Sequence, residues 1–472
     1  MIGCLGALLA AFAAHTEDCS RLTGMKSAHG TVIRAEVVAA TDATSIAYCR
    51  VQARSTPTSD SDIRFELWIP LGSAWNGKFE QVGNGGFAGA IPTVSMAHVL
   101  SAGFAVAGTD DGHRSADGID AAWALHHEEK IKDYGWRAIS ETTLASKQIL
   151  RKFKSRAPAK SYFVGCSDGG REAMMMAQRF PSFFDGIVAG APAFAMSRLL
   201  TGGALRIGQL TSVEGHLSST KLALLQASVL KSCGGGAPFL TDPRGCRPDL
   251  AALKCSGAET DACLTDRQIE TAQSIYRDQK DPATGGILYG VLPGAEAVKG
   301  SWGAWLIGTD EGGKSAALGF TWNYLAYMVM KDPHFDLSKV TTEDIVQGER
   351  HYAPIMDAND PNLAAFKAHG GKLIQYHGWN DPGIPPGYSL EYRDRLIASM
   401  GNVEGFYRLY LIPGMLHCGG GDAPTNVDWQ GTIEAWVEDG RAPGALTARG
   451  AQGLTQTVLP FAGSVAEPGP GG

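Results

Sequence analysis

The run Gly165-Cys166-Ser167-Asp168-Gly169 has the form G-x-S-x-G. A serine hydroxyl is a poor nucleophile until a base takes its proton, and this pattern marks one way of presenting it, on a sharp strand-to-helix turn. The flanking glycines permit the tight backbone, and the N–H of Asp168, at the start of the helix, can face a developing oxyanion. The pattern alone says little in a chain with 60 glycines. Its surroundings say more: apolar "SYFV" precedes it as a strand and "REAMMMAQRF" follows as a helix.

Such a serine needs an acid and then a histidine further along the chain. Among 12 histidines, His417 in "LIPGMLHCGG" follows an apolar strand and enters a flexible glycine run, which suits a loop-borne base. His369 lies in helix-like "NLAAFKAHGG" and His377 within a strand, so both read as structural. Asp381 in "KLIQYHGWNDPGIPP" ends a strand before a Pro-Gly turn and is the expected acid, with Asp357 and Asp360 as distant alternatives.

Cys166 adjoins Ser167, and Cys418 adjoins His417. If serine and histidine meet, their neighbours come within disulfide reach. A bond closing so long a loop is worth ~4–5 kcal/mol in the chain-entropy model. A second oxyanion donor is expected from Gly85 or Gly86 in "VGNGGFAGA". The rival reading of that loop is a dinucleotide fingerprint, but Ala88 holds its third position, no clear helix follows, and no acidic ribose ligand stands ~20 residues on.

The elements that must position these groups alternate. "TVIRAEVVA", "IRFELWIPL", "KFEQV" and "GFAVAGTD" read as strands. "AISETTLASKQILRKFK" has helical spacing, with Ser140 as N-cap and Ile139, Leu144, Ile149 and Leu150 as apolar positions. After "DGIVAGAPA" the rhythm stops near residue 200 and resumes near 366 with "GGKLIQYHG" and "GFYRLYLIPG". This predicts a mostly parallel, helix-covered sheet formed by 19–199 and 366–460, with 200–365 as an inserted lid and 461–472 as a disordered tail.

With 472 residues, 44% apolar and 19% charged, the chain reads as globular, and a net charge of −7 offers no footprint for nucleic acid. No apolar run approaches the ~20 residues of a membrane span. Residues 1–18 begin with "MIGCLGALLAAFAAH", a signal-like stretch lacking the usual basic start. Loss of Cys4 with it leaves eight cysteines, an even number, with 233/246 and 255/263 close in sequence. No CxxC pair occurs, so a disulfide-bonded, periplasmic or secreted protein is expected rather than a zinc protein. His126-His127-Glu128-Glu129 reads as a solvated face, because adjacent residues on a helix diverge.

Together "GCSDGGREAMMMAQRFPSFFDGIVAGAPA", "GNGGFAG", "YHGWNDP" and "PGMLHCGGG" resemble the tannase and feruloyl esterase family, which includes chlorogenate esterases and mono(2-hydroxyethyl) terephthalate hydrolases. The resemblance spans roughly 19–440. It implies an α/β-hydrolase fold with a lid, and hydrolysis of small aromatic esters outside the cytoplasm. It puts Ser167, Asp381 and His417 in a triad, and pairs Cys166–Cys418, Cys19–Cys49, Cys233–Cys246 and Cys255–Cys263. Members commonly bind calcium through an Asp-rich lid loop. Here that loop is "CGGGAPFLTDPRGC", with Asp242 its only carboxylate, so the site is expected to be lost or weakened and no cofactor or metal is expected. The family's C-terminal disulfide has no cysteines here.

Trp302, Trp305, Phe320 and Trp322 offer flat faces to a phenolic ring. No arginine occurs in 301–330 to pair with a free carboxylate, although Lys314 does, which favours neutral phenolic esters such as feruloyl or galloyl esters. Two other functions fit the same residues: an acyltransferase using the triad, and a phenolic-binding protein with a silent triad.

Overall fold

The computed structural model describes residues 18–310 and 312–465. Most of the signal-like stretch and the end of the tail therefore lie outside the described residues.

Nine strands form one sheet in the order β1-β2-β3-β5-β4-β6-β7-β10-β11. These are β1 (Gly30–Val38), β2 (Tyr48–Ser55), β3 (Ile63–Pro70), β4 (Lys78–Val82), β5 (Ala105–Thr109), β6 (Lys160–Cys166) and β7 (Gly186–Gly190), followed by β10 (Lys372–Gly378) and β11 (Tyr407–Ile412). A two-residue hairpin, β8 (Gln279–Lys280) and β9 (Ile287–Leu288), stands apart, as does the pair β12 (Leu446–Arg449) and β13 (Thr455–Val458). β1, β2, β3 and β5 pair antiparallel, and from β5 to β11 the sheet is parallel. It is the expected α/β architecture.

The parallel strands are apolar without alternation because both faces are covered. On one face, Ile139, Ile149, Leu150 and Phe153 of α3 (Ala138–Lys154) and Ala173–Ala177 of α4 (Asp168–Arg179) pack over Phe79, Phe163, Ile187 and Leu373. On the other, Met96 and Leu100 of α1 (Thr93–Ser101) meet Trp68 and Val106, while Ile433 and Trp436 meet Val188 and Ile374. Removing one fully buried phenylalanine from such a core costs ~3–5 kcal/mol.

Several sequence expectations need correction. Ser140 is not an N-cap. α2 (Glu128–Lys132) and the five-residue π-turn Asp133–Arg137 run straight into α3, so the helix never begins from an extended residue, and the Ser140 hydroxyl bonds back to Arg137 O. Leu144 is exposed. A helix, α1, does follow the glycine-rich loop. The segment 461–465 is ordered: Phe461 N donates to Leu409 O, its ring packs on Trp379, and Val465 N donates to Asp394.

Between β7 and β10 the chain is largely helical. Residue 200 falls inside α5 (Met196–Leu210) and residue 365 inside the helix Ala364–His369, so both expected boundaries cut helices. The insertion has its own apolar cluster, including Leu225, Val229, Ile275, Trp302 and Leu306. No helix among the described residues is long and apolar enough to cross a membrane.

Candidate active site

Ser167 sits between β6 and α4 with φ 65° and ψ −121°, a left-handed region rare for a side-chain-bearing residue. The turn is held from both sides. Ser167 N donates to Gly190 O at 3.0 Å, and Ser167 O accepts from Ala193 N at 3.1 Å. A Cβ at Gly165 would lie 2.4 Å from Gly169 O, so the strand end and helix start approach only through glycine.

His417 arrives on the loop after β11. Its Nε2 lies 2.9 Å from Ser167 Oγ, and its Nδ1 lies 2.8 Å from Asp381 Oδ2. Asp381, just past β10, is fully buried, and its Oδ1 accepts from Gly383 N and Ile384 N at 2.8 and 2.9 Å. Burial alone would raise its pKa. The charge of His417 and hydrogen bonds from His377 and His417 outweigh burial and hold the carboxyl well below the usual range.

His377 is thus more than a strand residue. Its Nε2 lies 3.2 Å from Asp381 Oδ2 and 2.8 Å from Ile384 O, and its Nδ1 meets Ser389 Oγ at 2.7 Å. Its place in β10, four residues before Asp381, was the available signal. Asp357 is spent on Ser197 N and Oγ, while Asp360 and His369 are exposed, and none of them joins His417. Cys166 and Cys418 are bonded, as are the other three pairs named from the sequence.

The glycine-rich loop can be accounted for atom by atom. Gly83 N, Asn84 N, Phe87 N and Ala88 N all donate, to Val164 O, Glu172 Oε2, Gly118 O and Gly85 O. Gly85 N and Gly86 N have no acceptor among the described residues. Gly86 has φ +61° and a Cβ there would lie 2.3 Å from Gly118 O, so a glycine is required. Gly86 and Asp168 both border the pocket at Ser167, whereas Gly85 does not. Gly86 N and Asp168 N are therefore the candidate oxyanion donors.

A cavity of about 110 Å³ opens on Ser167. α5 lines one wall with Met196, Leu199, Leu200, Gly203 and Arg206, and Trp305 and Phe320 face it with rings 6.4 Å apart and nearly parallel. Trp305 also meets His417 edge-on at 4.7 Å. Trp302 and Trp322 do not reach the cavity. Trp302 is 1% exposed in the core of the insertion against Tyr276, and Trp322 packs on Tyr327 and Phe335. Lys314 is exposed and outside the wall. The cation in the wall is Arg206, which lies well before the 301–330 segment in sequence; its guanidinium is tied to the carbonyls of Gly202, Ser274 and Arg277.

The residues present do not fit the calcium loop of the family. Both oxygens of Asp242 are taken by the Arg244 guanidinium, at 2.6 to 3.1 Å, leaving no free carboxylate for a hard cation. The His126–Glu129 run scatters: His127 pairs with Asp60, Glu128 with Lys331, and Glu129 with Arg137. Among the described residues, only Asp111, Asp168 and Glu172 have three carboxylates at metal-ligand spacing. Asp168 is held by Arg171 at 2.5 Å, and burial raises both Asp111 and Glu172, with neighbouring carboxylates adding to it, which favours a retained proton over a bare charge.

Comparison with known proteins gives the family of the chain. The family model for tannase and feruloyl esterase matches residues 49–460. An uncharacterised esterase of Xanthomonas campestris pathovar campestris is 37% identical over 448 residues, covering 85% of this chain and 77% of that protein. Feruloyl esterase C of Talaromyces stipitatus is 31% identical, covering 84% and 77%. The crystal structure of feruloyl esterase B from Aspergillus oryzae superposes with a TM-score of 0.83 at 25% identity, covering 93% of both chains. The chain is a carboxylic ester hydrolase of α/β fold, and it belongs to the tannase and feruloyl esterase family.

Proposed function

We propose that the protein is an exported serine esterase that cleaves esters of phenolic acids, such as feruloyl or galloyl esters, through an acyl-enzyme. The observation that carries this reading is the continuous chain Ser167 Oγ–His417–Asp381, opening on an apolar cavity faced by Trp305 and Phe320. His417 Nε2 takes the proton of Ser167 as Oγ bonds to the ester carbonyl carbon. The carbonyl oxygen becomes an oxyanion held by the N–H groups of Asp168 and Gly86, each worth ~10²–10³ in rate.

The imidazolium then gives its proton to the leaving alcohol as the C–O bond breaks. Water, deprotonated by the same Nε2, attacks the acyl carbon, and the proton returns to Ser167 as the acid leaves. Asp381 holds Nδ1 protonated so that Nε2 stays the basic nitrogen. Trp305 and Phe320 favour a planar acyl ring. No metal enters this scheme. The four disulfides support a location outside the cytoplasm.

A panel of methyl ferulate, methyl gallate, chlorogenate, the terephthalate half-ester and an aliphatic ester tests the substrate class. At least one phenolic ester should exceed the aliphatic ester in kcat/KM by tenfold or more; preference for the aliphatic ester would refute it. Added acceptor alcohol should leave free acid as the main product, whereas predominant ester transfer would make the protein an acyltransferase.

A further inference from the structure

One buried hydroxyl touches both residues proposed as oxyanion donors. Tyr134 Oη lies 2.8 Å from Asp168 Oδ1 and 3.1 Å from Gly86 O, and the side chain is 1% exposed. We infer that Tyr134 is a positioning residue, a strut that fixes the backbone of Asp168 relative to that of Gly86 and so holds the two N–H groups in register. This rests on the esterase mechanism above.

The geometry leaves the strut little freedom. Tyr134 lies in the π-turn Asp133–Arg137, where Arg171 Nη2 donates to Tyr134 O at 3.0 Å and Nη1 to Gly135 O at 2.7 Å. The same guanidinium donates from Nε to Asp168 Oδ1 and lies 4.6 Å from the centre of the phenol ring. Arg171 therefore ties the turn to the first turn of α4, and Tyr134 extends the tie to the glycine loop. The phenol has one proton for two acceptors: the nearer is Asp168 Oδ1 at 2.8 Å, and the Gly86 carbonyl at 3.1 Å shares it. Burial and the nearby Asp168 charge keep that proton on the oxygen.

The backbone groups that follow Gly86 are already fixed. Phe87 N donates to Gly118 O, and the Phe87 carbonyl meets His113 Nε2 at 2.7 Å. The Gly86 N–H shares its peptide with the Gly85 carbonyl, which accepts from Ala88 N, and Tyr134 holds the Gly86 carbonyl one peptide further on, so the donor peptide is braced on both sides. A donor displaced by a fraction of an ångström keeps its chemistry but loses much of its effect on the oxyanion, because the benefit depends on preorganisation.

The test is Tyr134→Phe, read three ways. With an aryl ester, kcat should fall ~10–100-fold while KM stays within about twofold, less than the ~10²–10³ for losing a donor outright. An aryl trifluoromethyl ketone, which forms a tetrahedral adduct with a serine, should bind more weakly by the same factor. Inhibition by the parent phenol, which carries no acyl oxygen for the oxyanion hole, should be unchanged. A folded Tyr134→Phe with near-normal kcat overturns the inference, as does an equal loss of affinity for the phenol. Trp123→Phe is the packing control, since Trp123 contacts the Tyr134 ring at 5.6 Å without touching its hydroxyl. It should keep kcat, and a matching loss there would assign the effect to packing and overturn the strut. If Tyr134→Phe does not fold, Asp168→Asn weakens the same link while keeping its N–H, and should lower kcat at held KM; an unchanged kcat overturns the strut. Failure of the wild type to bind the ketone would instead overturn the serine mechanism.

Discussion

Cys166 and Cys418, 252 positions apart in sequence, are joined by a disulfide with their Cα atoms 5.9 Å apart. Each is the immediate neighbour of one partner in the Ser167–His417 hydrogen bond, so the covalent link and the proton path share one junction. Cys418 itself holds φ 62°, a conformation rare for a residue with a side chain.

Replacing both cysteines, Cys166→Ser with Cys418→Ser, should lower unfolding free energy by up to ~4–5 kcal/mol in the chain-entropy model. It should also reduce kcat, because the loop carrying His417 gains freedom. Thermal melts and steady-state rates check both; an unchanged melting temperature with full activity would show that the clamp is dispensable.

Asp381→Asn should fold and lose ~10³–10⁴ in kcat, because an amide can donate to Nδ1 and favour the wrong imidazole tautomer. The wild-type carboxyl is depressed in the folded state, so its stabilisation is present above the unfolded value and lost as pH falls through the folded one. The acid melting of Asp381→Asn should accordingly be shallower than that of wild type.

Trp302 and Trp305 should fail differently. Trp302→Ala empties a fully buried site in the insertion and should cost ~3–5 kcal/mol in stability. Trp305→Ala should leave the melting temperature closer to wild type, raise KM for phenolic esters several-fold and narrow their advantage over aliphatic esters. Equal kinetic effects from both would contradict the cavity wall described here.

Stability should fall on the alkaline side. Glu80 is 1% exposed, and burial with the nearby Glu434 raises its carboxyl to about 8. A raised value means that the folded state holds a proton the unfolded state releases. The stability is full below the ordinary carboxyl range and is lost as pH rises through about 8. Melting temperature should therefore decline between roughly pH 5 and 9, and Glu80→Gln should flatten that decline; an identical slope in the variant would contradict it.

The serine turn, the histidine loop and the acid were legible because each depends on local chain chemistry, a strand end followed by glycine, proline or a helix start. The cavity wall was not. Trp302 and Trp305 stand three residues apart, a spacing that shares a face in an α-helix, but Gly303–Ile307 is a π-turn whose wider step separates them. The same kind of turn at Asp133–Arg137 erased the expected cap at Ser140 and placed Tyr134 beneath the glycine loop.

Arg206 and His377 show a second limit. Each sits in an ordinary-looking element, α5 or β10, and acquires its role only when another part of the chain packs beside it. The composition of 461–472 predicts a disordered tail, yet 461–465 is held. Phe461, held between Trp379 and the Arg244 and Arg393 guanidinium groups, supplies the contact that composition hides.

The most direct measurement compares Ser167→Ala with wild type on a phenolic methyl ester, alongside peptide mapping after treatment with a fluorophosphonate. The account predicts at least a ~10³-fold loss of kcat in the variant and a single label on Ser167 in the wild type. A variant of near-normal activity, or a label on another residue with Ser167 untouched, would contradict it.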